Sequence, residues 1–229
     1  MALLELINKY QTLIGSFLGI IFSVGFWFLK MYFDKKRQIM GSKKEIERIF
    51  FMAARESEDA LRDLKMYVEV VCKNLGIKEA GMDVFLPPKF NRIYINEERL
   101  FMLSQNLDFM ISQQIDIATS SAKKFNGYLD QFESAPIAIF EYTIKMLQTG
   151  MISKDKVSRN YDLQREKYIK HIEHIIDNYV EILQKHLLRP IVAQNYKESN
   201  LWSMPPGAFD EMLDAEAGIM LGILKKESA

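Results

Sequence analysis

Two histidines are the residues of the chain whose spacing most resembles a metal-binding site. His171 and His174 lie three residues apart, and Asp177 follows them, a spacing that can seat a divalent cation on one side of a helix. The apolar residues of the same run, however, place both histidines away from the predicted buried seam, at positions that face water. No Glu-x-x-His pair of the di-iron bundle type occurs in the chain. The sequence therefore predicts no metal site and no cofactor.

Two segments match the Ser-x-x-Lys pattern of serine acyl-transfer enzymes, residues 120–123 and 153–156. Neither is accompanied by a Ser-Asp-Asn or Lys-Thr-Gly motif, and the first falls in the middle of a predicted helix. The glycine-rich motifs that cradle nucleotide phosphates do not occur. We interpret both matches as chance, so the sequence predicts no catalytic residue and a protein that is not an enzyme.

Three small residues recur on one helix face near the start of the chain: Gly15, Gly19 and Ser23. Small residues at i, i+4 and i+8 let two helix backbones approach closely, which drives association inside a lipid bilayer. One interpretation is self-association or docking on another membrane helix. The other is that these residues only give the helix a smooth surface.

These small residues belong to an uncharged run from Tyr10 to Leu29, which is rich in Leu, Ile, Phe and Val. Its 20 residues span the roughly 30 Å hydrocarbon core of a bilayer at about 1.5 Å per residue. A cleavable signal peptide or a buried core helix fits less well, because Lys9 is the only basic residue before the run and the run is longer than a signal peptide's apolar stretch. Tyr10, Trp27 and Tyr32 lie where interfacial aromatics usually lie. We predict a short segment 1–9 and a transmembrane helix over residues 10–33.

Cations dominate the C-terminal flank of this run. Residues 30–49 hold seven cations and three anions, and residues 34–45 read as a basic juxtamembrane linker. By the positive-inside rule, the N-terminus lies outside and the C-terminal part is cytoplasmic. The cations either fix this topology alone or also bind anionic headgroups. The juxtamembrane residues concerned are Lys30, Lys35, Lys36, Arg37, Lys43 and Lys44.

The balance of 30 basic and 30 acidic residues conceals a split in charge. Residues 1–49 hold eight cations and four anions, which leaves 22 and 26 in residues 50–229 and a net charge of −4 there. A mildly acidic body argues against nucleic-acid binding. The single cysteine, Cys72, excludes an intramolecular disulfide, and its place in a helical pattern predicts a buried structural thiol.

Helical periodicity continues through residues 46–196, which predicts one helical bundle. The first run starts at Ser42, with apolar residues stepping by threes and fours except at Ser57, and ends at Gly76. The other runs extend from the N-cap Asn96 to Phe132, from a first turn at Pro136 to Gly150, and from Ser153 or Ser158 until Pro190 halts the last. Short joints predict antiparallel neighbours. The fold class expected is all-α, a transmembrane helix followed by an elongated cytoplasmic up-and-down bundle.

Two segments stand apart from the long runs. The connector 77–95 contains Pro87-Pro88 and the β-rich residues 92–95, and it is either functional or a cap pinned across the bundle. Residues 197–229 follow with an amphipathic stretch over 208–226, too short in its apolar part to span a bilayer. That helix docks on the bundle by default, and the alternatives are a partner or the membrane surface.

The opening Tyr10-Gln-Thr-Leu-Ile-Gly15, followed by a glycine-bearing span and a basic helix, resembles the start of small single-pass bacterial membrane proteins of uncharacterised function. The resemblance covers about residues 1–45. It implies a protein of the cell inner membrane with a cytoplasmic helical domain, and it carries over no catalytic or ligand-binding residue.

The functional prediction is a membrane-anchored helical adaptor, scaffold or accessory subunit that binds other proteins. Its partners would be the lipid bilayer and either a second copy or another membrane protein. One alternative is a single-pass sensor whose bundle binds a ligand and signals through a transmembrane dimer, and a second is an enzyme without a visible motif. A sensor should show polar side chains converging on a bundle cavity, and an enzyme should show a cleft with a perturbed acid or base.

Overall fold

The computed structural model describes residues 2–73, 88–105, 107–196, 204–205 and 207–227, apart from some side chains at helix ends. These residues form helices joined by short turns and one extended segment, without a strand, which confirms the all-α prediction. A 3₁₀ turn at Lys154–Lys156 separates the third helix from the fourth. The helices are α1 Ala2–Lys73, α2 Glu97–Ser104, α3 Phe109–Gln148, α4 Val157–Asn178, α5 Val180–Ala193 and α6 Ala208–Glu227.

Helix α1 runs without interruption for 72 residues, about 108 Å at helical rise. Residues 34–45, expected as a linker, continue this helix. They contain no proline, and most of them are residues that favour helix, with Gly41 the least favourable. The apolar run and the first helix of the bundle are therefore one element.

The C-terminal half of α1 buries the seam that its periodicity predicts. Its residues Ile46, Phe50, Ala60 and Leu64 are fully buried. Ser57, the predicted gap, is fully buried too, and its hydroxyl donates to the carbonyl oxygen of Ala54 at 2.6 Å. A serine fits this seam because its hydroxyl is satisfied within its own helix.

Helix α5 lies at the centre of the bundle and packs against α1, α3, α4 and α6. All of its residues from Leu187 to Ala193 are buried. The prediction that Pro190 ends this helix is wrong, because α5 continues to Ala193. The proline removes one backbone donor, and we attribute its tolerance to the burial of the apolar residues that follow it.

The run predicted from Asn96 to Phe132 is divided into α2 and the first part of α3. Asn96 caps α2 as predicted, since its side chain accepts from the backbone N–H of Arg99. The chain then turns, and Asp108 adopts an extended conformation at the start of α3. An aspartate disfavours the helix interior and favours such a start, so the apolar pattern alone did not reveal the break.

Helix α3 continues through Pro136, so the helix start predicted there is wrong. A proline at position 136 cannot donate to the carbonyl oxygen of Phe132, its i−4 partner. The hydroxyl of Tyr168, from α4, donates to that oxygen at 2.7 Å. At the other end, Gly150 has φ of +72°, and its N–H donates to Leu147, so this glycine terminates α3 as predicted.

Helices α4 and α5 meet at Tyr179, where backbone hydrogen bonding continues although the torsions deviate from helical values. The start predicted near Ser153 corresponds to the residue that precedes the 3₁₀ turn. Helix α6 packs on α5, which corresponds to docking among the alternatives that the sequence left open. Its buried face consists of Leu213, Ala217, Leu221 and Leu224.

Candidate functional site

The N-terminal half of α1 exposes an apolar surface that the rest of the described chain does not cover. Its large apolar side chains from Phe17 to Phe33 are 46–73% exposed. This part of α1 is long and apolar enough to cross a membrane, with a mean hydropathy of 2.0 and none of that window buried. Full burial of such a side chain is worth about 1.5–3 kcal/mol, and the exposed fraction of each side chain forgoes its share of that free energy in water. A surface of this size calls for an apolar environment.

The three small residues lie on this exposed surface. Gly15, Gly19 and Ser23 are all exposed, and successive members are one helical turn apart along α1. A Cβ atom built on Gly15 or Gly19 would meet nothing within 4 Å. The strip is therefore open to a second helix, as an interface requires.

The cations that the sequence predicted to be juxtamembrane divide into two groups. The side chains of Lys30, Lys35, Lys36 and Arg37 are exposed on the part of α1 that precedes the bundle. Lys43 differs, because it is half-buried and its Nζ donates to the carbonyl oxygen of Gln194 at 3.1 Å. Lys43 is thus bonded to the end of α5, whereas the first four cations face solvent beside the apolar run.

Lys44, the last of the predicted basic residues, lines an open groove that is formed by α1 and by Leu224 of α6. The groove holds about 460 Å³. Its apolar lining combines Phe51 and Met52 with Leu224, which comes from the opposite end of the chain. Sequence reasoning missed this groove because no local pattern reports a contact between residues so far apart. The charged lining residues are Lys44, Glu47, Arg48 and Arg55.

The described part of the connector is an extended segment held between α1 and α3. Asn126 binds the backbone of Ile93 twice, accepting from its N–H at 3.0 Å and donating to its carbonyl oxygen at 2.9 Å. On the α1 side, Glu56 accepts from the backbone N–H of Tyr94 at 2.8 Å. Phe90 and Ile93 are buried beneath these bonds. Helix side chains thus supply the partners that a neighbouring strand would supply in a sheet.

An ion-pair cluster fastens the same segment to α3. The guanidinium of Arg92 contacts Glu133 at 2.8 Å and Asp130 at 2.7 Å. Partial desolvation disfavours the ionised form of Glu133, but hydrogen bonds from Arg92 and the N–H of Phe90 outweigh it and lower the pKa of Glu133. The connector is therefore pinned along the bundle, and residues 74–87 lie outside the described part of the chain.

A serine and a histidine meet between α3 and α5. Ser121 Oγ lies 2.7 Å from Nδ1 of His186, a contact also seen between a nucleophile and its base. Burial, with a contribution from the charge of Arg189, lowers the pKa of His186, so the imidazole is neutral at pH 7. Among the described contacts, the nearby carboxylate of Asp214 is bonded to Arg189, and none orients Nε2 of His186. The pair joins two helices, and its 65-residue separation hid it from the sequence.

The remaining candidates from the sequence lie apart from one another. His171 and His174 are exposed, as the helical register predicted, and the ring of His171 stands edge-on to Phe132 at 5.5 Å. The described residues include no group of three potential metal-ligating side chains. Ser120 is exposed on α3 and Ser153 precedes the 3₁₀ turn. The side chain of Cys72 lies outside the described part of the structure.

Comparisons of the chain with protein-family models, with curated proteins and with solved structures found no match. The functional argument therefore depends on the chain's own residues. They present an exposed apolar half-helix, four exposed cations beside it and a packed helical bundle continuous with both.

Proposed function

We propose that this protein is a membrane-anchored helical adaptor, scaffold or accessory subunit that acts by binding other proteins. The apolar half of α1 crosses the cell inner membrane once, with the N-terminus outside and the bundle in the cytoplasm. The lipid bilayer is one partner. A second copy of the chain or another membrane protein, seated on the strip of Gly15, Gly19 and Ser23, is the other.

The observation that carries the proposal is the division of α1 into two halves of one helix. Up to Met40 its large apolar side chains are mostly exposed, and from Ser42 one face is buried in the bundle. In water the first half would expose a continuous apolar surface, whereas in a bilayer the same surface is solvated and its backbone is fully hydrogen-bonded. The four cations beside it support the cytoplasmic side for the bundle.

The interior of the bundle supports binding at surfaces over binding of an enclosed ligand. Its core consists largely of apolar side chains from all the helices. Two of the described grooves lie between helices, and they are open and hold about 460 and 220 Å³. A groove lined by both charged and apolar side chains, like the one that contains Phe51, Met52 and Leu224, suits a side chain or a helix of another protein.

The sensor alternative has one specific observation in its favour, the continuity of α1. The small-residue strip and the seam of Ile46 and Leu64 belong to the same uninterrupted helix. A change in packing at the strip would therefore rotate or shift the seam as a rigid rod. In the adaptor, the same continuity only holds the bundle at a set distance from the membrane.

The strip is tested by bulky substitution in the full-length chain. Gly19→Ile adds a branched side chain where two backbones would meet, and Val24→Ile makes a similar addition on a different face that lipid can accommodate. We expect Gly19→Ile to abolish crosslinking between chains, or to another membrane protein, and Val24→Ile to leave it unchanged. Crosslinking in native membranes followed by affinity capture measures both.

The outcomes separate the two functions. Loss of crosslinking together with a changed set of cytoplasmic partners favours the sensor, since the strip would then control the bundle. Loss of crosslinking with cytoplasmic partners retained favours the adaptor. If Gly19→Ile changes neither, the strip is not an interface, and α1 serves as a tether only.

A further inference from the structure

Three large apolar side chains are exposed where α2 turns into α3. Phe101 is 67% exposed, Met102 is 69% exposed and Phe109 is 70% exposed. Leu100, in the same turn of α2, is buried, so the helix is docked and its other face is left open. We call Phe101, Met102 and Phe109 the proximal tip.

Ion pairs place the proximal tip at the end of the bundle nearest the apolar half of α1. Arg99, near the start of α2, contacts Glu45 of α1 at 2.7 Å. Glu97 contacts Lys123 of α3 at 2.8 Å. Because α3 begins 14 residues before Lys123, Phe109 lies about 21 Å from that pair along the helix axis.

The same contacts set the direction of α3. Neighbouring residues of the connector bind Asn126 of α3 and Glu56 of α1. Earlier residues of the connector bind Glu133 of α3 and Asp63 of α1. Residue numbers therefore rise in the same direction along both helices, so α3 runs parallel to α1. The N-terminus of α3 therefore points toward the apolar half of α1. Side chains lean toward the N-terminus of their helix, which directs the ring of Phe109 the same way.

The separation from the apolar run matches the depth of a headgroup layer. Among the residues of α1 whose burial the structure describes, Ile39 is the first that is half-buried, and it lies six residues, about 9 Å, beyond Phe33. The headgroup layer adds roughly 5–7 Å to each side of the hydrocarbon core. A typical helix tilt of about 20° brings one side of the bundle closer still. A phenylalanine side chain is long enough to span the distance that is left between the bundle and the headgroup layer.

We propose that the proximal tip is a second membrane contact, which seats the bundle on the lipid headgroups. This inference depends on the proposed insertion of α1. Aromatic and methionine side chains gain from the interface between headgroups and acyl chains. With α1 fixed at one point and the tip at another, the bundle has one orientation toward the membrane and presents the groove of Phe51, Met52 and Leu224 in a defined direction.

The proposal depends on the position of the proximal tip and not on its exposure alone. An equally exposed side chain at the far end of the bundle serves as the control. Met151 is also 70% exposed, and it follows the C-terminus of α3. The 40 residues of α3 separate the two ends by roughly 60 Å. Met151 therefore has the same exposure as the proximal tip without access to the bilayer that anchors α1.

The test is quenching of single tryptophans in the full-length chain. Trp27→Phe and Trp202→Phe remove the native fluorophores, and Phe109→Trp or Met151→Trp introduces one probe at either end. The proteins are reconstituted in vesicles of mixed zwitterionic and anionic phospholipids that carry a quencher on the headgroup. We expect Phe109→Trp to lose about half of its emission and Met151→Trp to lose none.

A third protein, which keeps Trp27 and carries Trp202→Phe, separates failure of this inference from failure of the anchor. Quenching of Trp27 by a label in the acyl chains shows that α1 is inserted. If Trp27 is quenched and the emission of Phe109→Trp is unchanged, the proximal tip does not bind lipid and the inference is wrong. Absence of Trp27 quenching would overturn the proposed anchor and the inference together.

Discussion

At the scale of single residues, side chains remote in sequence complete the helices of the bundle. The hydroxyl of Tyr168 satisfies the carbonyl oxygen of Phe132 that Pro136 leaves without a donor. Burial raises the pKa of Tyr168 and raises the pKa of its neighbour Tyr67 to about 12, so both phenols stay protonated at neutral pH. A protonated phenol is the form that can donate to the carbonyl.

A double-mutant cycle measures this replacement hydrogen bond. Tyr168→Phe should lower the free energy of unfolding by about 1–3 kcal/mol, because a buried carbonyl loses its donor. In a Pro136→Ala background the new backbone N–H can donate to Phe132, so the same substitution should cost less there. Urea unfolding of the full-length chain in detergent gives both values. Equal losses in the two backgrounds would contradict the proposed role of Tyr168.

At the scale of elements, the sequence predicted what a local pattern specifies and missed what a distant partner specifies. The buried seam of α1 and the glycine after α3 follow from periodicity and turn chemistry, and the structure has both. In α3, the carbonyl oxygen that Pro136 leaves without a backbone donor is satisfied by Tyr168, which lies 36 residues from Phe132 in the sequence. The central place of α5 likewise depends on contacts with α1, α3 and α6. No window of the sequence contains these pairs.

The docking of α6 yields a prediction at this scale. Arg189 is nearly buried, and its Nε and Nη2 contact the two carboxylate oxygens of Asp214 at 2.8 and 2.7 Å. Its contact with Asp210 is longer, at 3.4 Å, and more exposed. Asp214→Ala should destabilise the chain by about 1–3 kcal/mol, since it leaves the guanidinium without its main partner. Asp210→Ala should cost less than about 1 kcal/mol.

Hydrogen exchange of the α6 amides locates the effect. It should rise in Asp214→Ala and remain near that of the unsubstituted chain in Asp210→Ala. Hydrogen bonds from Arg189 lower the pKa of Asp214, so their contribution is present at neutral pH and is lost as the pH falls through that lowered pKa. Equal exchange of α6 in the two variants would show that the bidentate pair does not hold this helix.

At the scale of the whole molecule, one helix carries two different surfaces. The first half of α1 exposes its apolar side chains, the second half buries one face in the bundle, and the four exposed cations lie near the junction. Helical periodicity predicted the all-α class, and an uncharged stretch of 20 residues predicted the apolar run. The break between α2 and α3 that forms the proximal tip was not predicted, because apolar residues recur across it without a change of period.

Protease accessibility of the full-length chain tests the central claim most directly. If α1 crosses the inner membrane with its cations inside, protease added to intact spheroplasts should leave residues 50–229 uncut. The same protease added to inverted vesicles should digest them. In detergent, which dissolves the membrane, these residues should be digested in both preparations. Digestion of the bundle in intact spheroplasts, or release of the chain from membranes by alkaline carbonate, would contradict the account.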